Sequence, residues 1–80
     1  MKIYGSMLCP DCVECKKALD KAGIAYTYLD IGESLGNLKA FLTIRDSNPL
    51  FDAFRGTRTI GIPCIVLEDG SVTLDWESCM

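Results

Sequence analysis

Short β-prone runs alternate along this chain with longer stretches whose apolar residues recur at helical spacing. Lys2-Ile3-Tyr4, stopped by Gly5 and Ser6, predicts a first strand. From Val13 to Ala22 the composition turns to Lys, Glu, Leu and Ala, with Pro10 suited to the first helical position and Gly23 placed just past the end. Asp11 in the first turn and Lys21 in the last complement the helix dipole. Ala25 to Ile31 predicts a second strand, with Tyr26, Tyr28 and Asp30 on one face and Thr27, Leu29 and Ile31 on the other. Ser34 can cap a helix carrying Leu35, Leu38, Phe41, Leu42 and Arg45 on one side. Pro49, preceded by Ser47 or Asn48, is a fresh helix start with Leu50, Phe51 and Phe54, so the middle holds one kinked helix or two short ones, ending near Gly56. Pro63 to Leu67 predicts a buried strand, Asp69-Gly70 a hairpin turn, and Ser71 to Asp75 the return strand. Trp76 to Met80 is left as a tail or single turn.

The order β-α-β-α(α)-β-β implies a parallel first pair of strands joined through a helix and an antiparallel last pair. The expected fold is therefore a small α/β domain, residues 1–80, with a four-stranded mixed sheet flanked by helices. Eighty residues make one domain. With 49% hydrophobic and 24% charged residues, the chain has the composition of a folded globular protein. Eight Lys and Arg against 11 Asp and Glu give a net charge of −3, which provides no basic footprint for nucleic acid or an anionic membrane. The apolar run Ile60 to Leu67 is too short to cross a bilayer, and no secretory signal follows Met1-Lys2, so a cytoplasmic monomer is the expectation. No histidine is present, so acid–base, nucleophilic or ligand roles fall to carboxylates, thiols, amines, hydroxyls or the backbone.

The five cysteines carry the chemistry: Cys9, Cys12 and Cys15 within seven residues, then Cys64 and Cys79. An odd, clustered count without an export signal points to redox or metal chemistry rather than a disulfide scaffold. Cys9-Pro10-Asp11-Cys12 stands where a strand gives way to a helix. There, unpaired N–H groups and the positive end of the dipole stabilise a thiolate on Cys9. Cys12, three residues on and more shielded, is placed to resolve the mixed disulfide that Cys9 forms. Pro10 stiffens this loop, while Asp11 puts a negative charge beside the nucleophile. Gly61-Ile62-Pro63 precedes the third strand, and a proline at the mouth of a central strand needs a special role. The expectation is a cis Ile62–Pro63 bond, with the Ile62 backbone free to pair with an extended thiol substrate.

Tyr4, Ser6, the Cys-Pro-Asp-Cys run, the helix to Gly23, and Ile62-Pro63 before an apolar strand together resemble a glutaredoxin. The resemblance covers Met1 to about Leu74. It implies a thioredoxin-type fold with the C-terminal helix reduced or absent. It further implies a dithiol–disulfide oxidoreductase acting on protein or low-molecular-weight disulfides. Cys9 would be the nucleophile, Cys12 the resolving thiol, and Pro10, Asp11, Ile62 and Pro63 the substrate-binding positions. No tightly bound cofactor and no metal are implied. The chain departs from that family at Gly61, where Thr is usual, and at Met7-Leu8, where a basic residue is usual. It also lacks the Gly-Gly pair and Cys/Ser-Asp element that hold the γ-glutamyl end of glutathione, reading Thr73-Leu74-Asp75-Trp76-Glu77 instead. Either glutathione or a thioredoxin-reductase-type donor is thus a candidate electron source.

Cys-x2-Cys-x2-Cys also opens an iron–sulfur ligand run, so a metal or iron–sulfur module built on Cys9, Cys12 and Cys15 is the rival reading. Position 18 is Ala18 rather than the fourth cysteine of such a run. Cys12, Cys15, Leu19 and Ala22 form one helical stripe, which favours Cys15 as core packing. Cys64 reads as a buried strand position and Cys79 as an exposed loose thiol. Tyr4 and Trp76 read as packing residues. Arg45, Arg55 and Arg58 read as surface residues, with Arg58 the nearest to Pro63 for a substrate carboxylate.

Overall fold

The computed structural model describes residues 1–79, and Met80 lies outside the described residues. Strand β1 (Lys2–Gly5) is followed by helix α1 (Pro10–Lys21), strand β2 (Thr27–Asp30) and helix α2 (Leu35–Ser47). A 3₁₀ turn at Pro49–Phe51, strands β3 (Cys64–Val66) and β4 (Val72–Thr73), and a last 3₁₀ turn at Trp76–Cys79 complete the chain. The strands form one mixed sheet in the order β2-β1-β3-β4. β1 and β2 are parallel, pairing Ile3 with Tyr28 and Gly5 with Asp30. β3 runs antiparallel to β1, with Tyr4 opposite Cys64, and also to β4, with Val66 opposite Val72.

Local chemistry accounts for most boundaries. Cys9 occupies the N-cap of α1 in extended conformation with Pro10 at the first helical position, and Ala22 closes the helix. The Ser34 side chain accepts from the Asn37 N–H at 3.2 Å to cap α2. Asn48 caps the following turn by accepting from Leu50 N–H at 2.9 Å. The β3–β4 hairpin is closed by Leu67 N–H donating to Ser71 O at 2.8 Å, with the Asp69 carboxylate accepting from Ser71 N–H at 2.9 Å.

Alternation along the strands divides the interior in two. Ile3 and Ile65 point to the α1 side, where they pack with Cys15 and Leu19 beneath Tyr26, Tyr28 and Trp76. Tyr4 and Cys64 point to the other side and pack with Phe41 of α2 and Phe51. Phe41 meets Phe51 edge-on at 6.0 Å between centroids, and Phe51 meets Phe54 at 6.1 Å. Each such pair contributes about 0.5–1.5 kcal/mol beyond its buried area.

Several expectations are corrected. β2 and β4 are shorter than their β-rich runs: β2 pairs only along the four residues of β1, and β4 is limited to Val72 and Thr73, opposite Val66 and Ile65. The fresh start at Pro49 stands, capped by Asn48, but the second piece is a 3₁₀ turn that ends at Phe51 and does not run on to Gly56. Of the α2 stripe only Phe41 is fully buried, while Leu35 and Leu42 remain exposed, since so small a sheet covers just the middle of the helix. Ala22 lies beyond the last helical residue and is exposed, leaving Cys12, Cys15 and Leu19 as the buried stripe of α1. Cys79 is no loose thiol: it packs against the α1-side core and its thiol donates to Asp75 O at 3.9 Å. Arg45 and Arg55 are not free surface residues either, as described below.

Gly61 combines a φ of +94° with a tight surrounding: a β-carbon there would stand 2.7 Å from Phe51 Cε1 and 3.2 Å from Phe54 Cδ2. This explains why the position cannot carry the threonine of the resembled family. Gly61→Ala should destabilise the protein by about 2–4 kcal/mol, through strained backbone and displaced aromatic rings. A urea titration checks this, and a midpoint within error of the parent would show that the Phe51 ring yields freely.

Candidate functional site

The site begins in the turn between β1 and α1. Cys9 N–H donates to Ser6 O at 3.0 Å and Leu8 N–H to Ser6 Oγ at 3.1 Å, folding residues 6–9 into a tight turn that delivers Cys9 to the helix N-cap. Its side chain makes no capping hydrogen bond. Cys9 is partly exposed, and all five cysteines are free thiols. Cys12 is fully buried one turn below. Burial pushes the Cys12 thiol up from 9.0 to about 12; the Ser6 backbone hydrogen bond pulls the other way, while a side-chain hydrogen bond to Cys9 and the charges of Cys9 and Cys15 add to the rise. The two sulfurs are thus neighbours in unlike surroundings, one open and one desolvated.

Gly5 permits that placement. A β-carbon on Gly5 would lie 3.0 Å from Cys12 Sγ and 2.9 Å from the Tyr28 hydroxyl, so the absence of a side chain leaves room for both groups against β1.

A cleft of about 780 Å³ opens in front of Cys9. Cys9, Asp11, Ile62 and Pro63 line it, and the Ile62–Pro63 peptide is cis as expected. Pro10 is exposed at the helix start without lining the cleft, and Cys12 lies beneath its floor. The opposite wall comes from the segment after Phe51: Phe54, Arg58, Thr59 and Ile60. Leu8, 95% exposed, and Ile60, 50% exposed, give the rim an apolar character beside the half-exposed sulfur. Leu74 and Trp76 also border the cleft, so Trp76 serves both the core and the site.

This wall is held by a clamp that the sequence did not disclose. The Arg45 guanidinium donates to Ile60 O at 3.0 Å, Phe54 O at 2.9 Å and Thr59 O at 2.9 Å. Arg55 in turn donates to Arg45 O at 2.8 Å and Asn48 O at 2.8 Å, and pairs with Asp52. Arg45 therefore satisfies carbonyls of an irregular segment, while Arg55 satisfies carbonyls at the C-terminal end of α2. Arg58 lines the cleft and takes part in none of the ion pairs among the described residues.

The remaining thiols lie elsewhere. Cys15 is buried in the α1-side core and raised to about 11, chiefly by burial with a smaller push from Cys79. Cys64 is buried on the opposite face of the sheet and raised by burial to about 11. Cys64 therefore cannot join Cys12 and Cys15 around one ion. Among the described residues, no three Cys, Asp or Glu side chains gather as a metal site. None of the described helices is long and apolar enough to cross a membrane.

A Haemophilus influenzae protein described as uncharacterized is 40% identical to this chain over 73 residues, which span 91% of this chain and 85% of that one. No protein-family model matches the chain, and no solved structure does.

The buried thiols tie stability to pH. Their folded values of about 12, 11 and 11 lie above the 9.0 they start from, so the folded state keeps protons that the unfolded chain releases. Their stabilisation is complete below pH 9 and is lost as pH rises through the folded values, by about 1.4 kcal/mol per pH unit for each thiol. Urea midpoints under reducing conditions should hold level to about pH 8.5 and then fall, with a shallower fall in Cys64→Val. Parallel curves for the two proteins would refute the buried state of Cys64.

Proposed function

The chain belongs to the family of that Haemophilus protein, and we propose that it is a glutaredoxin-like thiol–disulfide oxidoreductase on a thioredoxin-type fold. One observation carries the reading. Cys9 sits partly exposed at a helix N-cap facing a cleft, with the neutral Cys12 thiol buried within hydrogen-bonding reach beneath it. The β-α-β unit followed by an antiparallel hairpin, with Pro63 across the cleft from Cys9, is the arrangement such a fold would need.

The chemistry follows from that asymmetry. Cys9, partly exposed at the helix N-cap and bordering the cleft, is the thiol whose sulfur attacks one sulfur of a substrate disulfide. A mixed disulfide forms and the other substrate sulfur leaves as a thiol after taking up a proton. Cys12 then loses its proton and attacks Cys9. The Cys9–Cys12 bond forms, and the second substrate sulfur departs and is protonated. The substrate disulfide gains two electrons and the cysteine pair gives up two. An external dithiol or glutathione must then reduce the pair. The apolar rim at Leu8 and Ile60 suits an apolar segment of a substrate polypeptide, and Arg58 is placed to meet a carboxylate on a protein or small-thiol substrate. The protein would act in the cytoplasm as a monomer.

Cys9→Ser should abolish disulfide reduction. Cys12→Ser should still be attacked at Cys9 and accumulate a covalent adduct with a protein disulfide, seen as a mass increase that dithiothreitol removes. Turnover of protein disulfides by Cys12→Ser at the parental rate would overturn the assignment of roles.

The missing γ-glutamyl element directs the supply of electrons. Coupled to thioredoxin reductase, the protein should turn over steadily, whereas glutathione with its reductase should support at most about a tenth of that rate. Equal rates with the two donors would show that the elements at Gly61 and Thr73–Glu77 are dispensable for glutathione recognition.

A further inference from the structure

Among the described residues, one buried side-chain polar atom is left without a partner: the Tyr28 hydroxyl. Buried hydroxyls are ordinarily hydrogen-bonded, because leaving one unpaired costs the full loss of its hydration. Tyr28 stands on β2 beside Ile3 of β1, with its side chain on the α1 face of the sheet. Its hydroxyl and the Cys12 sulfur border the same small space above Gly5, each about 3 Å from where a β-carbon there would be. The groups that face it are Cys12, Cys9 and Cys15 from α1 and its cap, and Asp30 from its own strand. All are thiols or a carboxylate. Burial and these neighbours push the Tyr28 hydroxyl well above the ordinary tyrosine range, so it keeps its proton at any pH the protein meets.

We propose that Tyr28 supplies the hydrogen bond that the Cys12 sulfur requires when it takes on negative charge to attack the mixed disulfide on Cys9. The proposal rests on the oxidoreductase reading and deepens it. In the resting dithiol Cys12 is a neutral thiol, a weak acceptor, and Tyr28 Oη remains unpaired. Resolution removes the Cys12 proton, which ends on the departing substrate sulfur. During that step the Cys12 sulfur carries charge in a desolvated position, where the backbone of Ser6 provides one hydrogen bond. A second, charge-assisted bond from Tyr28 lowers the cost of ionisation without any transfer of the tyrosine proton. Tyr28 is thus a positioning and stabilising residue for the resolving thiol, with no part in the first attack by Cys9.

Tyr28→Phe separates this role from packing, because it removes only the unpaired oxygen. The reduced variant should unfold at a urea midpoint equal to or above the parent's. In quenched reactions with a protein disulfide, the mixed disulfide on Cys9 should form within about twofold of the parental rate, while its resolution slows by roughly tenfold or more and its pH profile moves to higher pH. Resolution within twofold of the parent, or both steps slowing together with a lowered midpoint, would overturn the proposal. A second measurement uses no disulfide turnover. In Cys9→Ser protein at pH 8, modification of Cys12 by a small methanethiosulfonate, followed by mass, should slow at least fivefold when Tyr28→Phe is added. An unchanged rate there overturns the role of Tyr28. A parent that never forms the mixed disulfide fails the oxidoreductase reading instead, and the modification rates still judge Tyr28.

Discussion

The close approach of α1 to β1 at Gly5 is the contact on which the site depends. A single hydrogen in place of a side chain lets the first helical turn rest on the strand, so that Cys12 Sγ and the Tyr28 hydroxyl share the space a β-carbon would fill. A methyl group there would crowd both groups and require the Tyr28 hydroxyl and the Cys12 side chain to shift. The contrast between the two sulfurs of the Cys9–Cys12 pair is thermodynamic as well as steric: desolvation holds Cys12 neutral while Cys9, at the open end of the helix, remains in contact with solvent. Leaving the Tyr28 hydroxyl unpaired works against stability by about 1–3 kcal/mol, the kind of local cost that a folded chain tolerates at a functional position.

The two halves of the cleft are built by two different cores. The α1 side of the sheet fixes the cysteine pair through Ile3, Cys15, Leu19 and Ile65. The other side fixes the facing wall through Phe41, Phe51 and Phe54, with Gly61 fitted against the Phe51 ring. β1 belongs to both, since Ile3 and Tyr4 point in opposite directions from adjacent positions. The β1–β3 pairing, in which Tyr4 stands opposite Cys64, brings the turn that carries Cys9 and the segment that carries Pro63 to the same end of the sheet. Arg45 completes the wall by converting three loop carbonyls into acceptors for one rigid guanidinium.

What could be read from the sequence was what local chemistry decides. Pro10 after Cys9, Ser34 three residues before Asn37, Asn48 before Pro49 and Asp69-Gly70 each specify a boundary within a few residues, and each boundary stands where that chemistry puts it. Cys9, Asp11, Ile62 and Pro63 came together in the cleft for the same reason, being fixed by a helix start and a strand start. The stripe on α2 misled because periodicity shows which residues could be buried, while the size of the sheet decides which ones are. Leu35 and Leu42 reach past its edge. Arg45 was illegible because its partners lie 9 to 15 residues away in an aperiodic segment. Tyr28 gave a partial signal: alternation placed it on the face of Tyr26, but only packing shows that its hydroxyl ends beside Cys12 without a partner.

Five free thiols in so short a chain raise the question of why disulfide exchange would not scramble among them. Geometry removes Cys64, which is buried on the face of the sheet away from α1. Cys15 lies one helical turn beyond Cys12 on the same buried stripe, near enough for their charges to interact. Its protection comes chiefly from burial, which keeps the thiol protonated. Exchange proceeds through thiolates, and a thiol held at about 11 is ionised to roughly one part in ten thousand at neutral pH. Cys12 is desolvated further still, its thiol pushed up to about 12 even though the Ser6 backbone hydrogen bond pulls the other way. The five sulfurs are thus set apart by burial: Cys12, Cys15 and Cys64 are fully buried, and of the two partly exposed thiols it is Cys9 that borders the cleft.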